Sequence, residues 1–161
     1  MTITDIADLE RVTQDPHMKR LYLYWRERCG ARRFPRREDI DPLDFDYALG
    51  RVSLVEVQEK PRRFYYRLVS TQLTRHLGYE MTGKFLDQIP EPQLRDYAER
   101  HYLRALAAAM PLYESEETVL DRRRWRHETL ALPLSQDGET VSMLMIYRST
   151  REPSPVRSAD R

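Results

Sequence analysis

The stretch WRHETLALPLSQDGETVSMLMIYR, residues 125–148, contains two apolar runs joined by Ser-Gln-Asp-Gly at residues 135–138. Asp-Gly between apolar runs is a strong signal for a β-hairpin, because glycine accepts the positive φ that a tight turn needs. In the second arm the apolar residues form two alternating sets: Val141, Met143, Met145 and Tyr147 in one, Leu144 and Ile146 in the other. Successive strand residues point to opposite faces, so both faces of this strand need cover. The hairpin therefore predicts the middle of a sheet that is packed on both sides.

The composition allows one folded domain and gives no strong charge signal. With 161 residues the chain can bury a sizeable core but leaves little room for a second domain. Its 27 basic and 26 acidic residues leave a net charge of +1, which supplies no general attraction to nucleic acid or anionic lipid. The single cysteine, Cys29, excludes an intrachain disulfide, and the N-terminus has no long apolar segment. We expect a soluble cytoplasmic protein without membrane insertion.

The N-terminal third is predicted to be helical. Residues 1–14 lack a clear period and are interpreted as an arm, either loose or a short helix that needs a partner. Asp15 and Pro16 carry the signature of a helix start, and an apolar stripe follows at helical spacing until Gly30. The stripe consists of Met18, Leu21, Tyr22, Trp25 and Cys29. A second Asp-Pro pair, at residues 41–42, predicts another, short helix.

Five further elements are predicted before the hairpin. Residues 51–58 and 63–69 alternate as two strands of a first hairpin. Residues 70–78 predict a short helix, and residues 91–111 predict a long amphipathic helix that a proline ends. Residues 112–120 form a third strand that carries glutamates, which is typical of a sheet edge.

The order of these elements predicts an α+β fold. Five antiparallel strands would have helices crossing one face, and the N-terminal helix would cover the other face. After Thr150 the tail is polar and contains prolines, so residues 151–161 are predicted to be disordered. The folded domain is then expected at residues 15–150.

Three strings of this sequence resemble one known family. They are LYLYWRERCGARRFPRREDIDP at residues 21–42, FYYRLVSTQLTRHLGYEMTGKFLDQI at residues 64–89 and LALPLSQDGETVSMLMI at residues 130–146. Over residues 16–150 the chain resembles the bacterial single-domain PAS family of the fifth type, formerly classed as a domain of unknown function. The Trp-Arg helix and the link after it are the more specific part, whereas the sheet strings are generic to PAS domains. Ser70 departs from the family pattern, which commonly has glycine there.

The resemblance implies a PAS-like five-stranded sheet and a sensory or regulatory module rather than an enzyme. A small ligand would lie between the concave sheet and its helices and would alter contact with a protein partner. Because no output domain is evident in the sequence, the signal would pass to a separate signalling protein. Many PAS domains pair through an N-terminal helix, so Met18, Leu21, Tyr22 and Trp25 are candidates for a homodimer or partner surface. The alternative is that this stripe covers the sheet within one chain.

The residues expected to line such a pocket are apolar with a few polar tips, the usual composition of a small-molecule site. They are Phe64, Tyr66, Leu68, Phe85, Leu86, Tyr97, Tyr102, Glu128, Leu130, Met143 and Met145. The alternative is a filled core without a cavity. Glu128 must be paired or neutral if it points inward, but near a strand end it can instead reach water. The identity of the ligand does not follow from these residues.

No metal, haem or flavin is expected as a cofactor. The four histidines, His17, His76, His101 and His127, are scattered and lack carboxylates at the spacing of metal ligands. A single haem ligand, such as His101 on the long helix, is the alternative to a histidine satisfied by its neighbours. Cys29 has no flavin-binding sequence around it.

Two basic runs offer a second class of function. They are Arg32, Arg33, Arg36 and Arg37, and Arg122, Arg123, Arg124 and Arg126. The first contains Arg-x-x-x-Arg twice, which resembles the cyclic-dinucleotide clamp of PilZ domains, where arginines grip phosphates through forked hydrogen bonds. The companion Asp/Asn-x-Ser-x-x-Gly element is missing downstream, and the near-neutral chain has no recognisable reading helix for nucleic acid. A cyclic-dinucleotide receptor is one hypothesis, and solvated or acid-paired loops are the other.

An enzyme is the third hypothesis. A small α+β chain can form a cone-shaped fold of the ketosteroid-isomerase type, in which an acid and tyrosines transfer protons in an apolar pocket. Glu128 with Tyr66 or Tyr97 would be the pair for that chemistry. The sequence has no glycine-rich phosphate loop, nucleophile elbow or paired metal motif, so catalysis has no independent support.

Overall fold

The structure, a computed structural model, describes residues 1–120 and 122–155. In chain order its main elements are α1 (Ile6–Val12), α2 (Pro16–Cys29), a 3₁₀ helix (Pro42–Arg51), β1 (Val52–Gln58), β2 (Arg63–Leu68), α3 (Thr71–Leu77), α4 (Pro92–Ala108), β3 (Leu112–Leu120), β4 (Arg123–Leu134) and β5 (Met143–Pro155). Two single-turn 3₁₀ helices, Arg37–Asp39 and Leu86–Gln88, lie in the connections.

The five strands form one antiparallel sheet in the order β2-β1-β5-β4-β3. β5 lies at the centre of this sheet, between β1 and β4, as the two-sided apolar pattern of its sequence predicts. β3 is an edge strand, as its glutamates indicate. The α+β class and the open antiparallel sheet are therefore confirmed.

Alternate residues of the central strand enter two separate apolar clusters. Met143, Met145 and Tyr147 pack in a cluster with residues of α1, α2 and the 3₁₀ helix. Leu144 and Ile146 pack in a second cluster with residues of α4. The sheet is thus a single layer between two helical layers. We call its two sides the α2 face, which holds Met143, Met145 and Tyr147, and the α4 face, which holds Leu144 and Ile146.

A fully buried stripe of α2 covers the α2 face. It consists of Met18, Leu21, Tyr22 and Trp25, each at most 2% exposed. The indole Nε1 of Trp25 donates a hydrogen bond of 2.8 Å to the carbonyl oxygen of Pro133 in β4. The prediction that these four residues form a homodimer or partner surface is therefore wrong, because they are not accessible. The alternative, cover within one chain, is confirmed.

The first fourteen residues are part of the fold. Ile3 and Leu9 are buried in the cluster on the α2 face. The backbone N–H of Ile3 donates to the carbonyl of Pro111, and the N–H of Tyr113 donates to the carbonyl of Met1, both at 2.8 Å. The arm thus forms the short helix α1 rather than a loose segment, and its start pairs with the edge of the sheet.

The last strand is longer than the sequence predicts. β5 continues to Pro155 and pairs there with the beginning of β4. The expectation of disorder is therefore wrong for residues 151–155, because backbone pairing to β4 orders them in spite of their polar composition. Residues 156–161 of the predicted tail lie outside the described residues.

Candidate ligand-binding cavity

A cavity of about 60 Å³ lies between the α4 face of the sheet and the helices α3 and α4. The sheet lines it with Ser53, Tyr66, Thr129, Ile146 and Arg148; α3 and α4 line it with Leu73, Leu77, Leu94, Tyr97, Ala98, His101 and Tyr102; and Arg51, Ser70 and Ile89 complete it. At roughly 10–15 Å³ of such volume per water molecule, it has room for a few waters or a small organic group. The lining is mostly apolar with a few polar groups, as small-molecule sites are.

His101 is the most informative polar group of this lining. Its side chain is buried, and Nδ1 lies 3.1 Å from Oε1 of Glu114 in β3. Arg104 donates two further hydrogen bonds to the same carboxylate, at 3.1 and 2.7 Å. The contact with His101 has the largest effect and, together with the hydrogen bonds from Arg104, lowers the pKa of Glu114 to about 2. The carboxylate is therefore ionised and holds the imidazole in place. The other ring nitrogen, Nε2, is buried and has no hydrogen-bond partner among the described residues.

Two tyrosine hydroxyls meet at the cavity. The hydroxyl oxygens of Tyr66 and Tyr102 lie 3.0 Å apart. Burial raises the pKa of Tyr66 to about 12 and raises the pKa of Tyr102 well above its ordinary value, so both are neutral. Since one hydroxyl donates to the other, the second keeps a proton for another acceptor.

A row of polar side chains crosses the α4 face. Glu114, Thr129 and Arg148 stand directly opposite one another on β3, β4 and β5. His101 reaches the Glu114 end of this row from α4. Arg148, at the other end, lines both the cavity and an adjoining groove of about 470 Å³ that also contains Trp125 and His127. The row therefore runs from a buried imidazole to a cation at the mouth of the cavity.

Ser70 shapes the wall of the cavity at the start of α3. Its hydroxyl accepts a hydrogen bond of 3.1 Å from the backbone N–H of Leu73 and so caps the helix. Its own N–H donates to the hydroxyl of Ser53 at 3.0 Å. With φ of −60° this position does not require glycine. The departure from the family pattern thus adds a helix cap and leaves the turn unstrained.

Glu128 is on the opposite face of the sheet. It is fully buried, so it points inward rather than to water. Its Oε1 accepts a hydrogen bond of 2.7 Å from the hydroxyl of Tyr113, and its Oε2 lies 3.3 Å from Nε of Arg151 in an ion pair without hydrogen-bond geometry. Arg126 lies 3.8 Å from Oε1 and also donates to the Tyr113 hydroxyl. Glu128 is therefore a paired charge in the α2 face.

The residues that the sequence assigns to one pocket are divided between the two faces. Tyr66, Tyr97 and Tyr102 line the cavity, and Phe64 and Leu86 pack beside it in the same cluster. Phe85 instead stacks edge-on against Tyr65 at 5.2 Å between ring centres. Leu130 and Met145 are buried on the α2 face with Glu128, and Leu68 and Met143 line a separate groove there. The prediction that all eleven residues share one pocket is wrong.

A β-bulge explains the position of Leu68. Tyr66 pairs with Val55 but Leu68 pairs with the preceding residue, Leu54, so β2 has one extra residue at Arg67. An extra residue turns the following side chain to the other face of a sheet. Strict alternation, which places Leu68 with Tyr66, fails at this point.

The isomerase hypothesis loses its reacting pair because Glu128 and the two tyrosines lie on opposite faces of the sheet. Glu128 lies on the α2 face, whereas Tyr66 and Tyr97 line the cavity on the α4 face. The tyrosine that Glu128 contacts is Tyr113. The predicted pair, Glu128 with Tyr66 or Tyr97, is therefore not formed.

Sequence reasoning missed most of the polar lining. The missed residues are Arg51, Ser53, Ser70, Thr129 and Arg148, together with the cavity position of His101. Of the two alternating sets of β5, the predicted pocket uses Met143 and Met145, whereas the structure uses Ile146 and Arg148. Alternation separates the two sets but does not reveal which helices cover each. The signal that could have found the second set is the adjacency of Arg148 to the apolar run.

The first basic run is engaged within the chain. Arg32 pairs with Asp39 at 2.6 Å. Arg33 donates to the carbonyl of Ala109, and Arg37 donates to the carbonyl of Ile40. Arg36 lies 3.7 Å from Glu38. Acid-paired and backbone-bound loops therefore describe this run better than a phosphate clamp.

Metal-ligating side chains do not cluster within residues 1–120 and 122–155. No group of three or more His, Cys, Asp or Glu side chains there could hold a metal ion. Cys29 is buried, which raises the pKa of its thiol to about 11. No helix in the described part of the chain is long and apolar enough to cross a membrane.

Comparison with known proteins agrees with the geometry of the sheet. A family model described as a PAS domain matches residues 13–147. This range extends from the residues before α2 to the centre of β5, so it contains all five strands and both helices of the cavity in full or in part. No curated protein matches the chain. The chain belongs to the PAS domain family.

Proposed function

We propose that this PAS domain is a cytoplasmic sensory or regulatory module that binds a small ligand in the cavity on the α4 face. The observation that carries the proposal is the buried Nε2 of His101, a residue of the cavity lining, which has no hydrogen-bond partner among the described residues. A buried nitrogen without a partner costs about 1–3 kcal/mol, and a ligand that supplies the missing hydrogen bond recovers it. Glu114 and Arg104 keep the ring oriented for this purpose.

The signal would leave the cavity across the sheet. Arg51, which lines the cavity, donates a hydrogen bond of 3.2 Å to the hydroxyl of Tyr147 on the α2 face. That hydroxyl donates one of 2.8 Å to Oδ2 of Asp15. Oδ1 of the same carboxylate accepts from the N–H groups of His17 and Met18 in the first turn of α2.

This path couples ligand binding to the start of α2. A ligand that engages Arg51 weakens its bond to Tyr147 and so loosens the cap of the helix. The changed N-terminal helices would then alter binding to a separate signalling protein. The stripe of α2 that faces the sheet is buried, so the partner would bind to the outer side of this helical layer.

Native mass spectrometry of the purified protein, beside a denatured control, tests the proposal. Ala98 lines the cavity, so Ala98→Leu fills it, whereas Ala107→Leu adds the same carbons to the exposed side of α4. We expect a small molecule that denaturation releases from the wild-type protein and from Ala107→Leu, but not from Ala98→Leu. A retained molecule that survives Ala98→Leu would contradict the proposed site. The same spectra report the oligomeric state.

A further inference from the structure

We infer that the ligand is a small carboxylate with an apolar body. The inference rests on the proposed function and names the chemical class that the same cavity accepts. The carboxylate of the ligand would lie over Thr129, between Arg148 and His101. The apolar body of the ligand would lie among the leucine and isoleucine side chains of the lining.

The charges around the cavity are of one sign. Arg51 and Arg148 line it, and no acidic side chain does so among the described residues. The nearest carboxylate behind His101, that of Glu114, is already used by two hydrogen bonds from Arg104. An anionic ligand therefore meets cations without an opposing acid at the cavity wall.

Arg148 is a cation that the described residues leave unpaired. It is half-buried, and it makes no hydrogen bond or ion pair with the residues that the structure describes. A guanidinium binds a carboxylate through two parallel hydrogen bonds, which neutral oxygens match poorly. Arg148 thus favours a carboxylate over an alcohol or an amide.

The cross-strand row sets where the carboxylate lies. Neighbouring strands are about 4.8 Å apart, so Arg148 on β5 and Glu114 on β3 are separated by about twice that distance, with Thr129 between them. His101 stands over the Glu114 end of the row. The backbones of Arg148 and Glu114 are therefore separated by the width of β4, and a small anionic group would lie over Thr129 between them.

The remaining lining limits the body of the ligand. It consists mainly of Leu73, Leu77, Ile89, Leu94 and Ile146. A cavity of about 60 Å³ accepts a short alkyl chain or a single ring and excludes a nucleotide. Arg148 lines both the cavity and the adjoining groove, so the polar end of the ligand can extend from the cavity toward the groove beside Arg148.

The imidazole of His101 supplies a second contact for the carboxylate. Nδ1 of His101 donates to the ionised Glu114, so a protonated ring presents its Nε2–H to the ligand.

A methyl NMR titration with benzoate and with its neutral analogue benzamide tests this inference. We expect benzoate to shift the methyl signals of Ile89 and Ile146, and benzamide to bind at least about tenfold more weakly, since a charge-assisted contact is lost. Arg148→Gln should weaken benzoate binding by about tenfold. Arg100→Gln, which removes an exposed arginine from α4, should leave binding unchanged.

The outcomes separate this inference from the proposed function. Equal binding of benzamide and benzoate, or unchanged benzoate binding in a folded Arg148→Gln variant, would overturn the anionic class and leave the cavity as a ligand site. The inference also fails if neither benzoate nor hexanoate shifts the cavity methyl signals. The proposed function fails on a different result, namely a retained ligand that Ala98→Leu does not displace.

Discussion

The two faces of the sheet are built differently. On the α2 face at most 2% of Met18, of Leu21 and of Trp25 is exposed. The buried Glu128 there is held by a hydrogen bond from Tyr113 and by ion pairs with Arg126 and Arg151, although its Oε2 makes no hydrogen bond with the described residues. On the α4 face the helices leave a cavity, and Nε2 of His101 has no partner within the described part of the chain. A close-packed face supplies stability, whereas a cavity whose lining includes an unpartnered polar atom can take up a ligand.

The helices themselves explain this difference. α2 has fourteen residues with a capped start and five buried side chains. α3 has seven residues and none of them is buried. A helix with few buried contacts opens locally at low cost, which suits the wall of a binding site. The α2 face is therefore the fixed side, and the α4 face is the adjustable one.

Trp25→Ala should have the largest effect on this comparison. The change leaves a large void and removes the hydrogen bond to Pro133, so we expect a loss of about 3–5 kcal/mol in the free energy of unfolding. Leu73→Ala, on the cavity wall, should cost about 1 kcal/mol or less, because Leu73 is only half-buried. Urea denaturation measures both. Equal losses would mean that the two faces are packed alike.

Glu128→Ala should rank second. It removes a fully buried carboxylate from Tyr113, Arg126 and Arg151, and we expect a loss of about 2–3 kcal/mol because both arginines are partly exposed and can turn to water. Glu117→Ala, an exposed change on β3, serves as the control and should cost less than about 0.5 kcal/mol. If Glu128→Ala is as stable as the control, the contacts of Glu128 with Tyr113, Arg126 and Arg151 do not stabilise the fold.

Tyr147→Phe sharpens the comparison by cutting the link between the faces. Loss of the hydroxyl bond to Asp15 should cost about 1 kcal/mol and speed amide exchange at His17 and Met18. Tyr65→Phe is the matched control, since the Tyr65 hydroxyl makes no hydrogen bond with the described residues. Unchanged exchange at the start of α2 in Tyr147→Phe would show that the path carries no coupling.

The smallest effect is expected from pH. The pKa of Glu114 is lowered from an ordinary value of 4.5 to about 2, so its stabilising contribution is present above about pH 4.5 and is lost as the pH falls toward 2. Because the pair is partly exposed, solvent limits this contribution to about 1 kcal/mol. Glu114→Gln should therefore flatten the decline of stability between pH 5 and pH 2. An equally steep decline in this variant would contradict an ionised Glu114 carboxylate as the partner of His101.

The sequence predicts the elements well because their signals are local. The apolar stripe of α2, the Asp caps and the Asp-Gly hairpin each depend on residues within a few positions of one another. These signals lead to the correct fold class and to the central position of β5. They also predict an edge strand from the glutamates of β3.

The site is predicted less well because faces are assigned by distant contacts. Whether Met143 or Ile146 points to α4 depends on register across β1 and β4, which no local pattern encodes. The bulge at Arg67, which turns Leu68 to the α2 face, is likewise not encoded in a local pattern. The three predicted tyrosines are at the cavity because Tyr66 points from β2 to the α4 face and because α4, which carries Tyr97 and Tyr102, packs on that face.

The most direct test of the difference between the faces is a methyl NMR spectrum under xenon pressure, recorded on protein that has been unfolded and refolded to remove bound molecules. Xenon enters apolar cavities and shifts the methyl signals around them. We predict shifts at Ile89 and Ile146 on the α4 face and none at Leu21 and Leu132 on the α2 face. Shifts at Leu21 and Leu132, or an absence of shifts at Ile89 and Ile146, would contradict a ligand cavity confined to the α4 face.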